Sequence, residues 1–234
     1  MRNLNTYFFV HTPKSGGSSF ISFIDLNIFP NRFIMLHDAC DGFNKEKILL
    51  CDSGFGGGHI GFGAHRMIKY PLKYFTLVRD PLTRAISHFN YALEGKNFAG
   101  LVSASFSETE FLVMRRKISL DQWLEKSLGG RNILSNMLTS SDQIIDGGVY
   151  EAAVENLKKY FIFTGLCEDM SATILVFCKT FNMSFPFYIN TNKTRNSIDR
   201  IEPSEGAIQK FREDNAIDFK IYEFVKDDFE KKLN

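Results

Sequence analysis

Long apolar runs, paired-cysteine motifs and a sizeable net charge are all missing from this 234-residue sequence. No stretch approaches the ~18 consecutive apolar residues that mark a membrane-spanning helix. The first apolar run, Tyr7 to Val10, is too short for a signal-peptide core, so a cytoplasmic location is expected. The four cysteines, Cys40, Cys51, Cys167 and Cys178, form no C-x-x-C pair, and no histidine stands at zinc-ligand spacing. They read as scattered buried thiols, not as a disulfide framework or a metal centre. A net charge of +1 gives no support for a nucleic-acid coat. Tryptophan occurs once against 24 phenylalanines, which predicts a core packed with phenylalanine rings.

Hydrophobic residues at 44% and charged residues at 24% exclude overall disorder. Charge is unevenly spread. Residues 1–90 hold ten Lys/Arg against six Asp/Glu, a local +4; residues 199–234 hold seven against ten, a local −3. A basic first part in a near-neutral chain fits a local anion site.

Tyr7 to Val10 reads as a buried strand, residues 13–19 as a loop, and Phe20, Ile21, Ile24 and Ile28 as the apolar face of a helix. Further strands are expected at Arg32 to Leu36, Ile48 to Cys51, Tyr74 to Val78 and Phe161 to Phe163. The glycine-dense residues 53–63 read as loop, and residues 97–117 as irregular. Asp80-Pro81 opens a helix, with Asp80 as N-cap and Pro81 in the first turn. Ser119 and Gln122 form a capping box, helices follow at 132–138, 150–160 and 171–181, and Asn215 caps a closing helix. Alternating strands and helices, without repeat or linker, predict one α/β domain over residues 1–234, built on a parallel sheet covered on both faces.

Two motifs carry chemistry. His11-Thr-Pro-Lys-Ser-Gly-Gly-Ser-Ser19 lies between a strand and a helix. Its glycines let the backbone bend around an anion, and the helix N-terminus offers amide groups and a positive dipole end. Lys14 adds a charge, and Ser18 and Ser19 add hydroxyls. The order differs from a Walker A loop, because Lys14 precedes Gly16 and Gly17. The second motif is Val78-Arg-Asp-Pro-Leu-Thr-Arg-Ala-Ile-Ser87. Arg79 leaves the end of a strand, where open α/β sheets bind ligands. Asp80, Arg84 and Ser87 are spaced to share one helix face, toward a second phosphate. Gly56 to Gly61 also fits G-x-G-x-x-G, but Pro71 leaves little room for the helix that a dinucleotide site needs.

Taken together, these motifs resemble those of sulfotransferases that use 3′-phosphoadenosine 5′-phosphosulfate, in the pattern of the bacterial and heparan sulfate 2-O-sulfotransferase branch. The resemblance implies a P-loop NTPase-like three-layer fold with a central parallel sheet flanked by helices. It implies that Lys14, Ser15, Gly16, Gly17, Ser18 and Ser19 hold the 5′-phosphosulfate, and that Arg79 and Ser87 hold the 3′-phosphate. The family's Gly-His element corresponds to Gly58-His59, which makes His59 the base and Lys14 the second catalytic residue. A neutral imidazole suits that task. His65 is the competing histidine, and His11 is expected to be structural. Asn192 to Arg195 is similar to a basic loop closing over the nucleotide, which adds Arg195; Phe163 to Glu168 resembles the family's F-x-G-L-x-E strand end. Residues 132–138 resemble an N-L-x-T-R-x-L segment, with Asn136 where arginine is usual. The implied reaction is sulfuryl transfer to a hydroxyl, expected to be a carbohydrate hydroxyl, with adenosine 3′,5′-bisphosphate as product and no metal. The alternatives are a P-loop-type kinase and a non-catalytic nucleotide-binding module.

Overall fold

Residues 6–27, 34–36, 55–66, 72–95, 107–140, 148–183 and 201–233 are described by the structure, a computed structural model. Five strands form one sheet: β1 (Thr6–Val10), β2 (Ile34–Leu36), β3 (Phe55–Gly58), β4 (Leu72–Val78) and β5 (Phe161–Leu166). Their order is β2-β3-β1-β4-β5, and every pairing is parallel. The connections after β1 and β4 leave toward opposite edges, which opens a crevice between the carboxyl ends of these two neighbours.

The aromatic residues sort onto the two faces of the sheet, by alternation in β1 and β4 and, in β5, across a register shift opposite Tyr74 and Phe75 that puts Phe161 and Phe163 on opposite faces. Phe9, Phe75 and Phe163 turn to the face covered by α1 (Gly17–Asn27), whose Phe20 packs against all three rings. Phe177 then reaches Phe20 and Phe163 with ring centres 5.0 and 5.1 Å away. Phe8, Tyr74 and Phe161 turn to the other face, where Phe62 joins Tyr74 and Phe161. Both faces are therefore buried, as a parallel sheet requires.

The remaining helices are α2 (Pro81–Leu93), α3 (Glu108–Met114), α4 (Leu120–Glu125), α5 (Ile133–Leu138), α6 (Val149–Tyr160), α7 (Met170–Thr180), α8 (Glu205–Asp214) and α9 (Ala216–Leu233). Phe177 lies on α7. The outer side of α2 builds a second, smaller apolar cluster with α3, α4 and α8, centred on the fully buried Trp123. The Trp123 indole donates to the Ala85 carbonyl at 3.2 Å, so this cluster grips α2 directly. Asp80 accepts from the Thr83 amide at 2.8 Å and Pro81 opens the helix, as expected. The Ser119–Gln122 capping box is also present.

Four expectations are corrected. Residues 55–58 are strand and not loop: a Cβ on Gly57 would lie 2.3 Å from the Phe9 carbonyl oxygen, so only glycine lets β3 close on β1. Residues 108–114 are helical, opened by a Ser107–Glu110 capping box. Asn215 stands at the start of α9, where its carbonyl accepts from the Phe219 amide at 3.3 Å, but its side chain does not cap that helix. It is buried, accepts from the Asn132 amide at 2.8 Å and donates to Phe211 O at 2.9 Å, so it joins α8 and α5. The strand at 161–163 runs on to Leu166. The strand expected at Ile48 to Cys51 lies outside the described residues.

Phe177 is fully buried among aromatic rings. Phe177→Ala is expected to cost about 3–5 kcal/mol of stability, read from the midpoint of denaturant unfolding.

Candidate functional site

The loop after β1 is shaped by two left-handed residues, Lys14 at φ 65° and Gly16 at φ 78°. The Ser15 amide turns back to Thr12 O at 3.3 Å, and the first helical bond of α1 runs from Phe20 N to Gly16 O at 3.2 Å. The amides of Gly17, Ser18 and Ser19 precede that bond and have no acceptor within the helix. They point out of the N-terminus with the positive dipole end. Gly17 is required here: a Cβ would lie 2.0 Å from His11 Nε2, because the His11 ring packs on this turn. Beside the amides, the hydroxyls of Thr12 and Ser15 are buried with no protein partner. Buried hydroxyls normally find one. Their presence in a loop bent around an amide-rich turn fits the phosphosulfate group expected from the sequence. Ser18 is exposed, and Ser19 is buried.

Strand β4 delivers Arg79 to this loop. Its guanidinium donates to the Lys14 carbonyl at 3.1 Å across the crevice. The Lys14 ammonium lies 3.6 Å from the centre of the Tyr91 ring, on α2 one turn beyond Ser87. Helix α2 thus leans over the loop, with Ser87 half-buried along it. Glu168, at the end of the F-x-G-L-x-E segment, accepts from the Asp80 amide at 2.9 Å and from the Tyr222 hydroxyl. It fixes the turn that aims Arg79. Burial pushes the Tyr222 phenol well above its usual range, with the Glu168 charge adding to the shift.

His59 follows β3. It is exposed, and its ring stacks on that of His11 with centres 4.4 Å apart. Its Nδ1 is 3.0 Å from the His11 carbonyl oxygen. A carbonyl only accepts, so Nδ1 carries the hydrogen, which in the neutral ring leaves Nε2 with the lone pair. His65 is engaged elsewhere. The Tyr74 hydroxyl accepts from the His65 amide at 2.8 Å and shares a hydrogen bond with His65 Nδ1 at 3.0 Å, and Tyr160 stacks on the ring. Its pKa is lowered by burial and by Arg66.

Arg84 does not face the anion loop, contrary to the helix-face expectation. It is 4% exposed and turned inward, where a guanidinium nitrogen lies 3.4 Å from Gly129 O, and burial lowers its pKa to about 10. The Asp218 charge opposes that shift; Asp218 itself accepts from the Leu134 and Ser135 amides at 2.7 and 2.8 Å. Arg195 lies outside the described residues. Sequence reasoning missed Thr12, Tyr91 and the clamp role of Glu168; Tyr91 had a signal in its i+4 spacing from Ser87, and Glu168 in closing the F-x-G-L-x-E segment. Among the described residues, no group of three or more His, Cys, Asp or Glu could hold a metal ion, and no helix is long and apolar enough to cross a membrane.

No family model matches the chain. Human and mouse heparan-sulfate 6-O-sulfotransferase 3 are each 27% identical to it over 190 aligned residues, covering 69% of this chain. The chain corresponds to 38% of the length of these curated relatives. Among solved structures, a sulfotransferase from Alicyclobacillus acidocaldarius shares the fold, with a TM-score of 0.53 at 14% identity over 94% of this chain and 95% of that one. These relatives are named as 6-O-sulfotransferases, so they do not confirm the 2-O branch expected from the motifs.

Burial, then the neighbouring His59 and Lys14, lower the His11 pKa from 6.5 to about 3. The unfolded chain takes up that proton below pH 6.5, whereas the folded protein refuses it until about pH 3. Stability is therefore lost as pH falls through this window, by up to ~1.4 kcal/mol per pH unit for one proton. His11→Phe is expected to flatten the acid limb of stability against pH by one proton, measured by denaturant unfolding between pH 7 and 4.

Proposed function

We infer that this chain, with the fold of a sulfotransferase and sequence likeness to that family, transfers a sulfuryl group from 3′-phosphoadenosine 5′-phosphosulfate to a saccharide hydroxyl. The observation that carries the reading is the cradle itself. Buried hydroxyls of Thr12 and Ser15 without protein partners sit at an open helix N-terminus, with Lys14 and Arg79 beside it. The saccharide acceptor rests on the curated relatives, which are named for heparan sulfate.

In this reading the amides of Gly16 to Ser19 and the Ser15 and Ser18 hydroxyls hold the 5′-phosphosulfate. Arg79 and Ser87, joined by Arg195, hold the 3′-phosphate. When bound, the donor supplies a sulfur whose bond to the bridging phosphate oxygen breaks as the acceptor oxygen attaches. The His59 Nε2 lone pair takes the proton from the acceptor hydroxyl. Lys14 and the positive end of α1 balance the negative charge that collects on the departing oxygen. Arg79 contributes twice, as a charge and as the bond that holds the Lys14 backbone in place.

Calorimetric titration with adenosine 3′,5′-bisphosphate, beside ATP and without magnesium, tests the site. Micromolar binding of the bisphosphate with much weaker ATP binding is expected. Arg79→Ala should weaken it by about tenfold or more, as loss of a charged hydrogen bond does. Binding of ATP alone, or of neither, overturns the reading. In a saccharide acceptor screen with the sulfated donor, His59→Asn should lower turnover by about 10²–10⁴-fold while leaving bisphosphate affinity intact. Equal loss of both removes His59 from the base role, and near-normal turnover in Lys14→Ala overturns the assignment of Lys14.

A further inference from the structure

We propose that His11 is a positioning residue whose ring is the platform that orients His59 and holds it in the Nδ1-protonated form. The inference rests on the reading of His59 as the base. It stands on three features of the site.

The first is a column of rings. Phe75, Phe9, His11 and His59 stack in turn, with centres 5.1, 5.4 and 4.4 Å apart and interplanar angles of 17°, 12° and 25°. The column begins fully buried at Phe75 and Phe9 and ends exposed at His59. An exposed side chain just past the end of a strand has rotamer freedom to lose, and a flat, immobile neighbour removes it.

The second is that the platform is itself locked. His11 is 7% exposed, its amide donates to Gly58 O at 2.9 Å, and its ring leaves no room for a Cβ on Gly17. The same residue therefore offers both contacts that define His59. Its carbonyl sets the tautomer, and its ring sets the plane.

The third is that the His11 ring makes no protein hydrogen bond through Nδ1, which is buried. The side chain serves by shape, as a flat and uncharged face. Its depressed pKa agrees with this: a neutral ring does not repel the imidazolium that His59 becomes after taking a proton. A phenyl ring meets the same requirement.

The test is nuclear magnetic resonance of the ring nitrogens in protein labelled with ¹⁵N-histidine, without nucleotide, at pH 8. His59→Asn identifies the His59 signals by their disappearance. The wild type should show His59 as the Nδ1–H tautomer. His11→Phe should keep that pattern, whereas His11→Ala should lose it, giving the averaged tautomers of a free imidazole. The Nε2–H tautomer in the wild type overturns the proposal even if His11→Ala fails to fold. So does an unchanged Nδ1–H pattern in a folded His11→Ala protein, or its loss in a folded His11→Phe protein. The bisphosphate titration reports separately on the sulfotransferase reading: normal binding with the wrong tautomer rejects only the positioning role, and the right tautomer without binding rejects only the enzyme.

Discussion

The left-handed backbone of Lys14 is the constraint on which the site depends. For a residue with a Cβ this conformation costs about 1–3 kcal/mol, and it persists only where its surroundings hold it. Two groups from the next strand and helix do so. Arg79 binds the Lys14 carbonyl, and Tyr91 lies under the Lys14 ammonium. With Lys14 turned, Gly16 turns too, and the chain enters α1 with its first amides facing outward. A glycine at 14 would bend more easily but bring no ammonium. The strain is the condition for having a charge and a tight turn at one residue.

That constraint explains why a second cluster is packed around α2. Tyr91 and Ser87 are useful only if α2 stays where it is. Trp123 binds the Ala85 carbonyl from one side. Arg84, directly before Ala85 in sequence, reaches inward toward Gly129 and the Asp218 charge. At the start of the helix Glu168 holds the Asp80 amide and the Tyr222 hydroxyl together. Each anchor comes from an element distant in sequence. The position of α2, and through Arg79 and Tyr91 the turn at Lys14, therefore follows from the fold as a whole, while the glycine pattern of the loop after β1 is local.

The local part was legible in the sequence. The Tyr7–Val10 strand, the glycine loop and the Asp80-Pro81 helix start all carry signals within a few residues, and the structure has each of them. The illegible parts depend on distant neighbours. β3 looked like a loop because glycine disfavours strands in general, and only the closeness of Phe9 at Gly57 makes glycine necessary there. Arg84 looked like an anion ligand because helix spacing gives a face and not what that face meets. Which buried hydroxyl is left without a partner, as at Thr12, is a property of three-dimensional packing with no sequence mark at all.

The unpartnered hydroxyls also bear on how the loop stays poised. Leaving a buried polar group unsatisfied costs about 1–3 kcal/mol, and Thr12 and Ser15 stand together in one short turn with the strained Lys14. A sequence selected for stability alone would replace Thr12 with valine, which has nearly the same shape and no hydroxyl. Natural proteins retain such costs where a ligand repays them. An anion held by these hydroxyls and the α1 amides would supply the missing hydrogen bonds, so its binding would stabilise the fold through the same atoms. The ring column from Phe75 to His59 meets the opposite need. His59, the imidazole proposed to take the proton, sits at its exposed end, and the rigidity that role requires comes from rings buried behind it. The loop holds its tension in polar atoms and the column supplies order through apolar ones, and His11, packed on Gly17 and stacked under His59, is the residue that both share.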